Sequence, residues 1–366
     1  MGRHELLSRV SWLMVALPLA LAVPAAAQAP RPPQPAPLPQ PAPGPQPPSA
    51  PGSPRPPAAP SSSRPRSDES VPVTKGMRLA VNNFAGSITV RTWEKDAVRI
   101  EAEHSSRDRV NVRTTEAVLR VSASSEHGPS RSVDFTLTAP RWMPINLDGT
   151  YVDIDLEGMQ GEVTAETVGG DVHLKGGNGT VTLKSVEGII EVEGSKGRIT
   201  LNTVNEAIFV RDAAGDVSAE TVNGDLTLER IESNNIDVAT VNGDVTYDGA
   251  IRDGGTYRFA THNGDVELRV PDQINASVFV RTYRGDFESH FQVALPAQTA
   301  SASDDDSDHR RRERRNRRFS FTLGSGAARV ELESFGGDIN LFKRSQIAAR
   351  PKRKDKHDHE QDELLQ

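Results

Sequence analysis

Cysteine is absent from this chain of 366 residues. Its absence excludes disulfides, thiolate catalysis, cysteine-ligated zinc and attachment of a lipid to a cysteine that follows a signal sequence. Aromatic residues make up only 5 % of the chain, and alanine- and leucine-rich helical stretches are almost missing. The chain is instead rich in Val, Ile and Thr, with 29 Gly and 26 Pro. This composition indicates strands and turns together with one Pro-rich segment.

Motifs of enzyme chemistry are also missing. The chain has no G-x-S-x-G elbow, no phosphate-binding loop, no H-E-x-x-H and no Cys/His constellation. We therefore predict no catalytic, cofactor-binding or metal-ligating residue, no cofactor, and no enzymatic activity. The formal net charge is −7, yet residues 28–66 contain four arginines and no acid. The rest of the chain is therefore acidic, which argues against nucleic acid as the main partner.

The N-terminus has the features of an export signal. Arg3 and Arg9 precede an apolar run from Val10 to Val23, and Ala25 to Ala27 form a small-residue cleavage site. An uncleaved anchor is the alternative, but a run of about 14 residues is shorter than the ~20 that a membrane-spanning helix needs. We expect residues 1–27 to be a signal peptide and the protein to be exported to the periplasm, cell surface or medium. No later segment is apolar enough to span a bilayer.

Residues 28–74 are predicted to be a disordered linker. Between Pro30 and Pro65 there are 17 prolines, so the backbone lacks donors at nearly every second position and cannot form a packed core. An extended polyproline II spacer rises ~3.1 Å per residue. This segment is predicted to hold the folded part away from its attachment point; a ligand for a proline-recognising domain is the alternative.

A repeat organises the rest of the chain. Glycines recur with a step of nine residues from Gly161 to Gly224, with a break at Glu206, and most precede short alternating runs such as GDVHL and GDLTL. Alternate units end in Thr-Val or Ser-Val, which gives a stronger step of eighteen. Aligned by their turns, the repeats form five inward columns that begin at Ile145, Leu147, Thr167, Ile154 and Leu156. An antiparallel sandwich would not predict five columns in register.

We therefore predict an all-β protein with a β-solenoid of about 18 residues per coil over residues 75–342. Residues 75–144 would be the N-terminal cap region, 145–289 the regular coils and 330–342 a final coil. Between them, residues 290–329 are predicted to form a hairpin that pairs 291–295 with 319–323 around a disordered charged loop, 296–318. Residues 343–366 would be a disordered charged tail. The seven arginines from Arg310 to Arg318 either dock to anionic envelope polymers or form a solvated insertion.

A row of aspartates follows the turn glycines and offers one candidate cation site. These residues are Asp171, Asp225, Asp244, Asp265, Asp286 and Asp338. Calcium-binding nonapeptide solenoids require GGxGxD turns, whereas this chain has xGD with interruptions at Ile189 and Ala207. We therefore interpret the row as turn chemistry, with glycine supplying positive φ and aspartate bonding local N–H groups.

Other short motifs are weak. Arg284-Gly285-Asp286 is one more xGD turn, despite its similarity to an integrin-binding tripeptide. Asn178-Gly179-Thr180 and Asn275-Ala276-Ser277 fit the glycosylation pattern. His357 and His359 could bind a metal, but their tail offers no preorganised geometry.

Several features together resemble the bacterial putative-adhesin family of β-strand-repeat envelope proteins of unknown function. They are the exported N-terminus, the opening segment LAVNNFAGSITVRTWEKDAVRIEAE, the TVNGDV and TVNGDL units, the late FSFTLGSGAARVELESFGGDINL and the basic end. The resemblance covers residues 75–344 and implies a β-solenoid with a non-catalytic role at the cell envelope. It supplies no catalytic or ligand residues.

The expected function is a structural or adhesin-like binding module. Its partner would be an envelope polysaccharide or a surface protein, and the sequence leaves the oligomeric state open. One alternative is a carbohydrate-active lyase or hydrolase, which would need carboxylates and a Lys or Arg from neighbouring coils in one groove. Another alternative is a scaffold in envelope stress sensing.

Overall fold

The computed structural model describes residues 66–125, 128, 130–293 and 317–347. The predicted signal peptide, most of the Pro-rich linker, most of the charged loop and most of the tail lie outside these residues. The described chain is almost entirely β-structure, and its one helix, α1 (Arg344–Ile347), has four residues. No helix in this part of the chain is long and apolar enough to cross a membrane.

The N-terminal part contains seven strands. They are β1 (Arg66–Pro72), β2 (Arg78–Trp93), β3 (Ala97–Glu103), β4 (Asp108–Thr114), β5 (Val118–Ser125), β6 (Val133–Pro140) and β7 (Ile145–Glu157). Strand β2 pairs in parallel with β7 on one side and with β5 and β6 on the other. Strands β4 and β3 then pair antiparallel with β5 and β6, and β1 pairs antiparallel with β3. Strand β2 is therefore paired along both of its edges with strands that come later in the sequence.

Strand β1 extends regular structure into the range predicted as linker. Its sequence, RSDESVP, has a single aliphatic residue, Val71, which is half-buried. The strand is held by its backbone pairing to β3 and by Asp68, whose carboxylate accepts hydrogen bonds from Arg99 at 2.7 and 3.1 Å. A polar edge strand of this kind has no apolar alternation by which sequence could identify it.

Regular coils follow, and each contributes one strand to each of two parallel ladders. The first ladder contains β8 (Val163–Glu166), β10 (Asn178–Lys184), β12 (Lys196–Asn202), β14 (Ala214–Glu220), β16 (Asn235–Asn242) and β18 (Thr256–Asn263). The second contains β9 (Val172–Lys175), β11 (Ile190–Glu193), β13 (Ile208–Arg211), β15 (Leu226–Ile231), β17 (Val245–Gly249) and β19 (Val266–Val270). Paired positions are 18 residues apart from Val163 to Val217, and the later coils are slightly longer. The predicted β-solenoid is confirmed.

The five predicted columns form the core of the coils. Every column residue is buried except Phe287 and Ser289, which lie in the coil at the C-terminal end of the stack. Because inward side chains of one coil contact those directly above and below, each coil buries its apolar face only against its neighbours. Tyr247 and Tyr257 lie in the longer coils, where their rings are buried and their hydroxyls donate to the carbonyls of Ala250 and Ser233.

The threonine and serine column forms one corner of each coil. In the regular coils the buried hydroxyl donates to a backbone carbonyl of the turn in the preceding coil, as Thr203 does to Gly188 at 3.2 Å and Thr261 to Gly243 at 2.8 Å. These hydroxyls therefore satisfy carbonyls that the tight turn would otherwise leave without a partner.

The C-terminal strands depart from sequence order. They are β20 (Ala276–Thr282), β21 (Phe287–Ser289), β22 (Arg317–Leu323), β23 (Ala328–Ser334) and β24 (Ile339–Lys343). The coil made by β23 and β24 comes last in sequence, yet it lies between β18–β19 and β20–β21, with parallel pairing on both sides. The last repeat is therefore inserted into the stack.

The predicted pairing of residues 291–295 with 319–323 is wrong. Strand β22 pairs antiparallel with β20, and residues 291–293 are not in a strand. The reason is the inward alternation of Phe319 and Phe321, whose rings lie 5.2 and 5.7 Å from that of Phe287. Strand β22 thus covers the open end of the solenoid, which would otherwise expose apolar side chains and unpaired backbone.

Candidate binding surfaces

Outward side chains of the last coils form a depression that we call the arginine–phenylalanine pocket. Arg258 on β18, Arg329 on β23 and Phe279 on β20 line one part of it. Arg281 on β20 and Arg318 on β22 line the other. Insertion of β23 between β18 and β20 brings these residues, distant in sequence, onto adjacent strands. The pocket is open to solvent and has a volume of about 570 Å³.

Ion pairs and ring contacts hold the guanidinium groups in place. The Arg329 guanidinium lies 4.5 Å from the centre of the Phe279 ring and donates to Glu331 at 2.6 Å. Arg281 donates to Glu333 at 3.1 Å, and this carboxylate raises the pKa of Arg281. Each of these guanidinium groups keeps further N–H donors available to a ligand.

The two remaining arginines lie at the sides of the pocket. Arg258 donates to Asp237 at 2.9 Å, and Arg318 donates to the Tyr283 hydroxyl at 2.9 Å. The lining contains four arginines and two glutamates, and Asp237 pairs with Arg258, so the local charge is +1 on a chain whose net charge is −7. The pocket therefore favours an anionic ligand, and the 38 % exposed Phe279 adds an apolar contact.

The predicted aspartate row forms a ladder of hydrogen bonds. The Asp225 carboxylate accepts from the backbone N–H of Asp244, and Asp244 accepts from that of Asp265, both at 2.8 Å. Asp265 accepts in turn from Asp338 at 2.7 Å, and Asp338 from Asp286 at 2.8 Å. The carboxylates of Asp225, Asp244, Asp265 and Asp338 therefore bond the next coil rather than their own turn, which corrects the interpretation from sequence. In the described ranges no three His, Asp or Glu side chains are placed to hold a metal ion.

The structure also places the weaker motifs. Arg284 stacks over the Phe335 ring at 5.3 Å, so the Arg-Gly-Asp turn is packed against its neighbour. The Asn275 side chain donates to Asp253 at 3.2 Å and accepts from the Ser325 N–H at 3.1 Å, whereas Asn178 is exposed. His357, His359 and Arg310 to Arg315 lie outside the described residues.

The model of one protein family, Toastrack DUF4097, matches residues 77–342. The chain belongs to the Toastrack DUF4097 family. The match spans nearly the whole range predicted as solenoid, and the family resemblance inferred from the repeats is confirmed. A search of curated proteins finds no match.

Three solved structures are similar to this Toastrack chain, each over 76 % of its length. One is described as a "putative adhesin" from Parabacteroides distasonis, with 8 % identity, 98 % of that chain covered and a TM-score of 0.40. Another is a "putative cell adhesion protein" from Clostridium sporogenes, with 9 % identity, 100 % covered and a TM-score of 0.21. The third is a "putative lipid binding protein" from P. distasonis, with 9 % identity, 96 % covered and a TM-score of 0.29.

A second depression lies on the other outward face of the Toastrack solenoid, with a volume of about 430 Å³. Its lining includes Asp155, His173, Lys175 and Glu191 from three successive coils. The His173 ring lies 3.3 Å from the Glu191 carboxylate, which also pairs with Arg211. Acids and a lysine from neighbouring coils are the residue types that the carbohydrate-active alternative requires.

Sequence reasoning missed the pocket of this Toastrack protein, although one signal was present. At the outward position that Phe279 occupies, other coils carry small or charged residues such as Ser218, Asp237 and Glu331. An aromatic residue at a solvent-facing column position is unusual and could have identified β20. The clustering of arginines could not have been found, because it depends on the inserted coil.

Proposed function

We propose that this protein is an exported, non-catalytic binding module of the cell envelope, and that the arginine–phenylalanine pocket binds an acidic envelope polysaccharide. One observation carries the proposal: Arg258, Arg281, Arg318 and Arg329 converge around an exposed Phe279 on an otherwise acidic chain. The predicted signal peptide and Pro-rich spacer support a location outside the cytoplasm.

The chemistry of the pocket suits a uronic-acid polymer. A guanidinium donates two parallel hydrogen bonds to a carboxylate, and its planar geometry fixes the orientation of the acid. Because Arg281 and Arg329 are already oriented by Glu333 and Glu331, little side-chain entropy is lost when a ligand binds. The Phe279 ring can contact the C–H face of a sugar. A polymer could then extend along neighbouring coils, which repeat at ~4.8 Å.

Binding of polygalacturonate, measured by calorimetry against dextran as the neutral polymer, tests the proposal. We expect binding to polygalacturonate alone and a loss of affinity of about tenfold or more on raising the salt to ~0.5 M, because exposed charges are screened. Arg281→Gln and Arg329→Gln should each weaken binding by about fivefold or more.

Arg198→Gln is the matched control. Arg198 lies on the same outward face in β12, is 72 % exposed and is 4.0 Å from Asp216. Its substitution removes one positive charge without touching the pocket. Equal loss of affinity in all three variants would show a general charge effect and reject the pocket. Equal binding to dextran and polygalacturonate would reject an acidic ligand.

The second depression favours a carbohydrate-active lyase or hydrolase as the alternative function. In that case Glu191 or Asp155 would act as acid or base and Lys175 would contact the substrate. Incubation with polygalacturonate and detection of new reducing or unsaturated ends would support it, provided that Glu191→Gln abolishes the product. Binding without cleavage would favour the binding module.

A further inference from the structure

The outward face of the first ladder carries a second group of arginines at its N-terminal end. Arg113 on β4 lies directly opposite Arg120 on β5, and Arg78 lies on the next strand, β2. All three side chains are exposed, and we call them the N-terminal arginine cluster. In the described part of the chain, none of these three guanidinium groups takes part in an ion pair.

Two acids accompany the cluster but do not cancel its charge. Asp148 lies on β7, which pairs with β2, and Glu116 lies in the turn between β4 and β5. Three arginines against two acids leave a local charge of +1 on a chain whose net charge is −7. The cluster therefore attracts an anion, as the arginine–phenylalanine pocket does.

The other end of the same face repeats this arrangement. Arg281 on β20 lies directly opposite Arg318 on β22, and both line the arginine–phenylalanine pocket. Like charges directly opposite one another destabilise an antiparallel pair of strands. An anion bound between two such guanidinium groups offsets their repulsion and accepts hydrogen bonds from both. Each end of the face therefore presents a place for an acidic group.

Between the two ends the face is weakly acidic. Hydroxyl side chains occupy its central position in successive coils: Thr164, Thr182, Thr200 and Ser218. The charged residues beside them are two bases and four acids: Lys184, Arg198, Glu162, Glu166, Asp216 and Glu220. An acidic polymer is therefore attracted at the ends and not in the middle, where the hydroxyls can form hydrogen bonds with its sugars.

The distance between the ends determines which ligand can use both. Ten strand spacings along the first ladder separate Arg120 on β5 from Arg281 on β20. At ~4.8 Å per spacing this distance is about 50 Å. When one polymer occupies both places, its second contact is intramolecular, and the overall affinity can exceed that of either site by ~10²–10⁴.

We propose that the N-terminal arginine cluster is a second anion site, and that one chain of acidic polysaccharide bridges this cluster and the arginine–phenylalanine pocket. The inference rests on the proposed function, because it assigns a second contact to the same ligand. It adds that the partner is a long polymer rather than a short acidic glycan. A fragment shorter than about 50 Å can occupy only one of the two sites.

Calorimetry of the full-length protein with size-fractionated polygalacturonate tests the inference. Fragments with an extended length below about 30 Å should bind two per protein chain, one at each site. Fragments longer than about 60 Å should bind one per chain and at least about tenfold more tightly. An affinity that does not change with fragment length would reject bridging.

Arg120→Gln removes one member of the opposed pair in the N-terminal arginine cluster. It should lower the number of short fragments bound from two to one, and reduce the affinity for long fragments to that for short ones. Arg230→Gln is the charge-matched control, because Arg230 lies in β15 of the second ladder, where it pairs with Asp212. This control should change neither quantity.

A variant of the pocket gives the reciprocal measurement. With Arg281→Gln and Arg318→Gln combined, one short fragment should still bind per chain, and adding Arg120→Gln should abolish that binding. Loss of all short-fragment binding in the pocket variant overturns the inference and leaves the proposed function intact. Equal affinity of the wild type and Arg120→Gln for long fragments does the same. A wild-type protein that binds no fragment would reject both.

Discussion

Gly188→Ala should strongly destabilise the protein, because a Cβ atom at this position has no space. It would lie 1.9 Å from the carbonyl oxygen and 2.5 Å from the carbonyl carbon of Gly170 in the preceding coil. Both contacts are with backbone, so no side-chain rotation can relieve them. The two coils would have to separate by about 1 Å at this corner to restore an ordinary contact distance.

The hydrogen bonds at this corner determine how far the free energy of unfolding should fall. Those that join the two coils next to Gly188 include Gly170 N–H to Glu187 O at 3.0 Å, Glu187 N–H to Val168 O at 2.7 Å, Val172 N–H to Ile189 O at 2.9 Å, Ile189 N–H to Asp171 Oδ1 at 2.8 Å and Ser185 Oγ to Gly170 O at 3.2 Å. A separation of about 1 Å takes them beyond hydrogen-bonding distance, and each contributes ~0.5–1.5 kcal/mol. We expect the free energy of unfolding to fall by about 2–5 kcal/mol.

Urea unfolding followed by far-ultraviolet circular dichroism measures this change, and the chain provides its own control. Glu206 occupies the equivalent turn position one coil further on, where a Cβ is already accommodated. Glu206→Ala should therefore change the free energy of unfolding by less than about 0.5 kcal/mol. Similar stabilities for Gly188→Ala and Glu206→Ala would refute the explanation that close approach of the coils requires glycine.

Two further predictions concern titratable groups. Burial, with Glu166 nearby, raises the pKa of Asp148, so its contribution to stability is present below the ordinary value of ~4 and is lost as the pH rises from there through the raised pKa. Asp148→Asn should then be more stable than the wild type near pH 7, by up to about 1 kcal/mol, but not near pH 3; an equal change at both pH values in urea titrations would contradict this. Burial also raises the pKa of Tyr247 and Tyr257, so the folded state holds more protons than the unfolded state and stability should fall as the pH rises above ~10. Ultraviolet titration of the native protein should show part of the phenol ionisation displaced to higher pH relative to the urea-unfolded protein, and identical titration curves for the two states would contradict it.

Much of the fold follows from the sequence because the inward columns repeat at a constant step. A register shift of one residue would move residues such as Val181 and Leu183 from the core to solvent, so alternation fixes the register. The order of the coils is not fixed in this way. Strands β20 and β23 carry valine at the same column position, Val278 and Val330, and Val330 is the one that pairs with Tyr257. The alternation of the columns does not decide which of the two strands follows β18. The sequence therefore predicted the coils correctly but could not predict the insertion.

The candidate surfaces depend on different kinds of information. The exposed valines that run from Val168 to Val241 were visible in the recurring Thr-Val pairs, because an apolar residue directly after an inward threonine falls outside the strand alternation. The arginine–phenylalanine pocket needs Arg258 and Arg281 on strands that become neighbours of β23 only through the insertion. Its composition could be read from the sequence, but its assembly could not.

The insertion of the β23–β24 coil has a consequence for biosynthesis. Strands β20 and β21 leave the ribosome before β23 and β24, but their parallel partners are made only when residues 328–343 have been synthesised. If coils form in sequence order, they can pair as far as β19, but β20 has no parallel partner until β23 has been made. A chain that stops before residue 328 therefore cannot close its C-terminal end. A product truncated before residue 328 would therefore keep an exposed strand edge, a feature that favours aggregation.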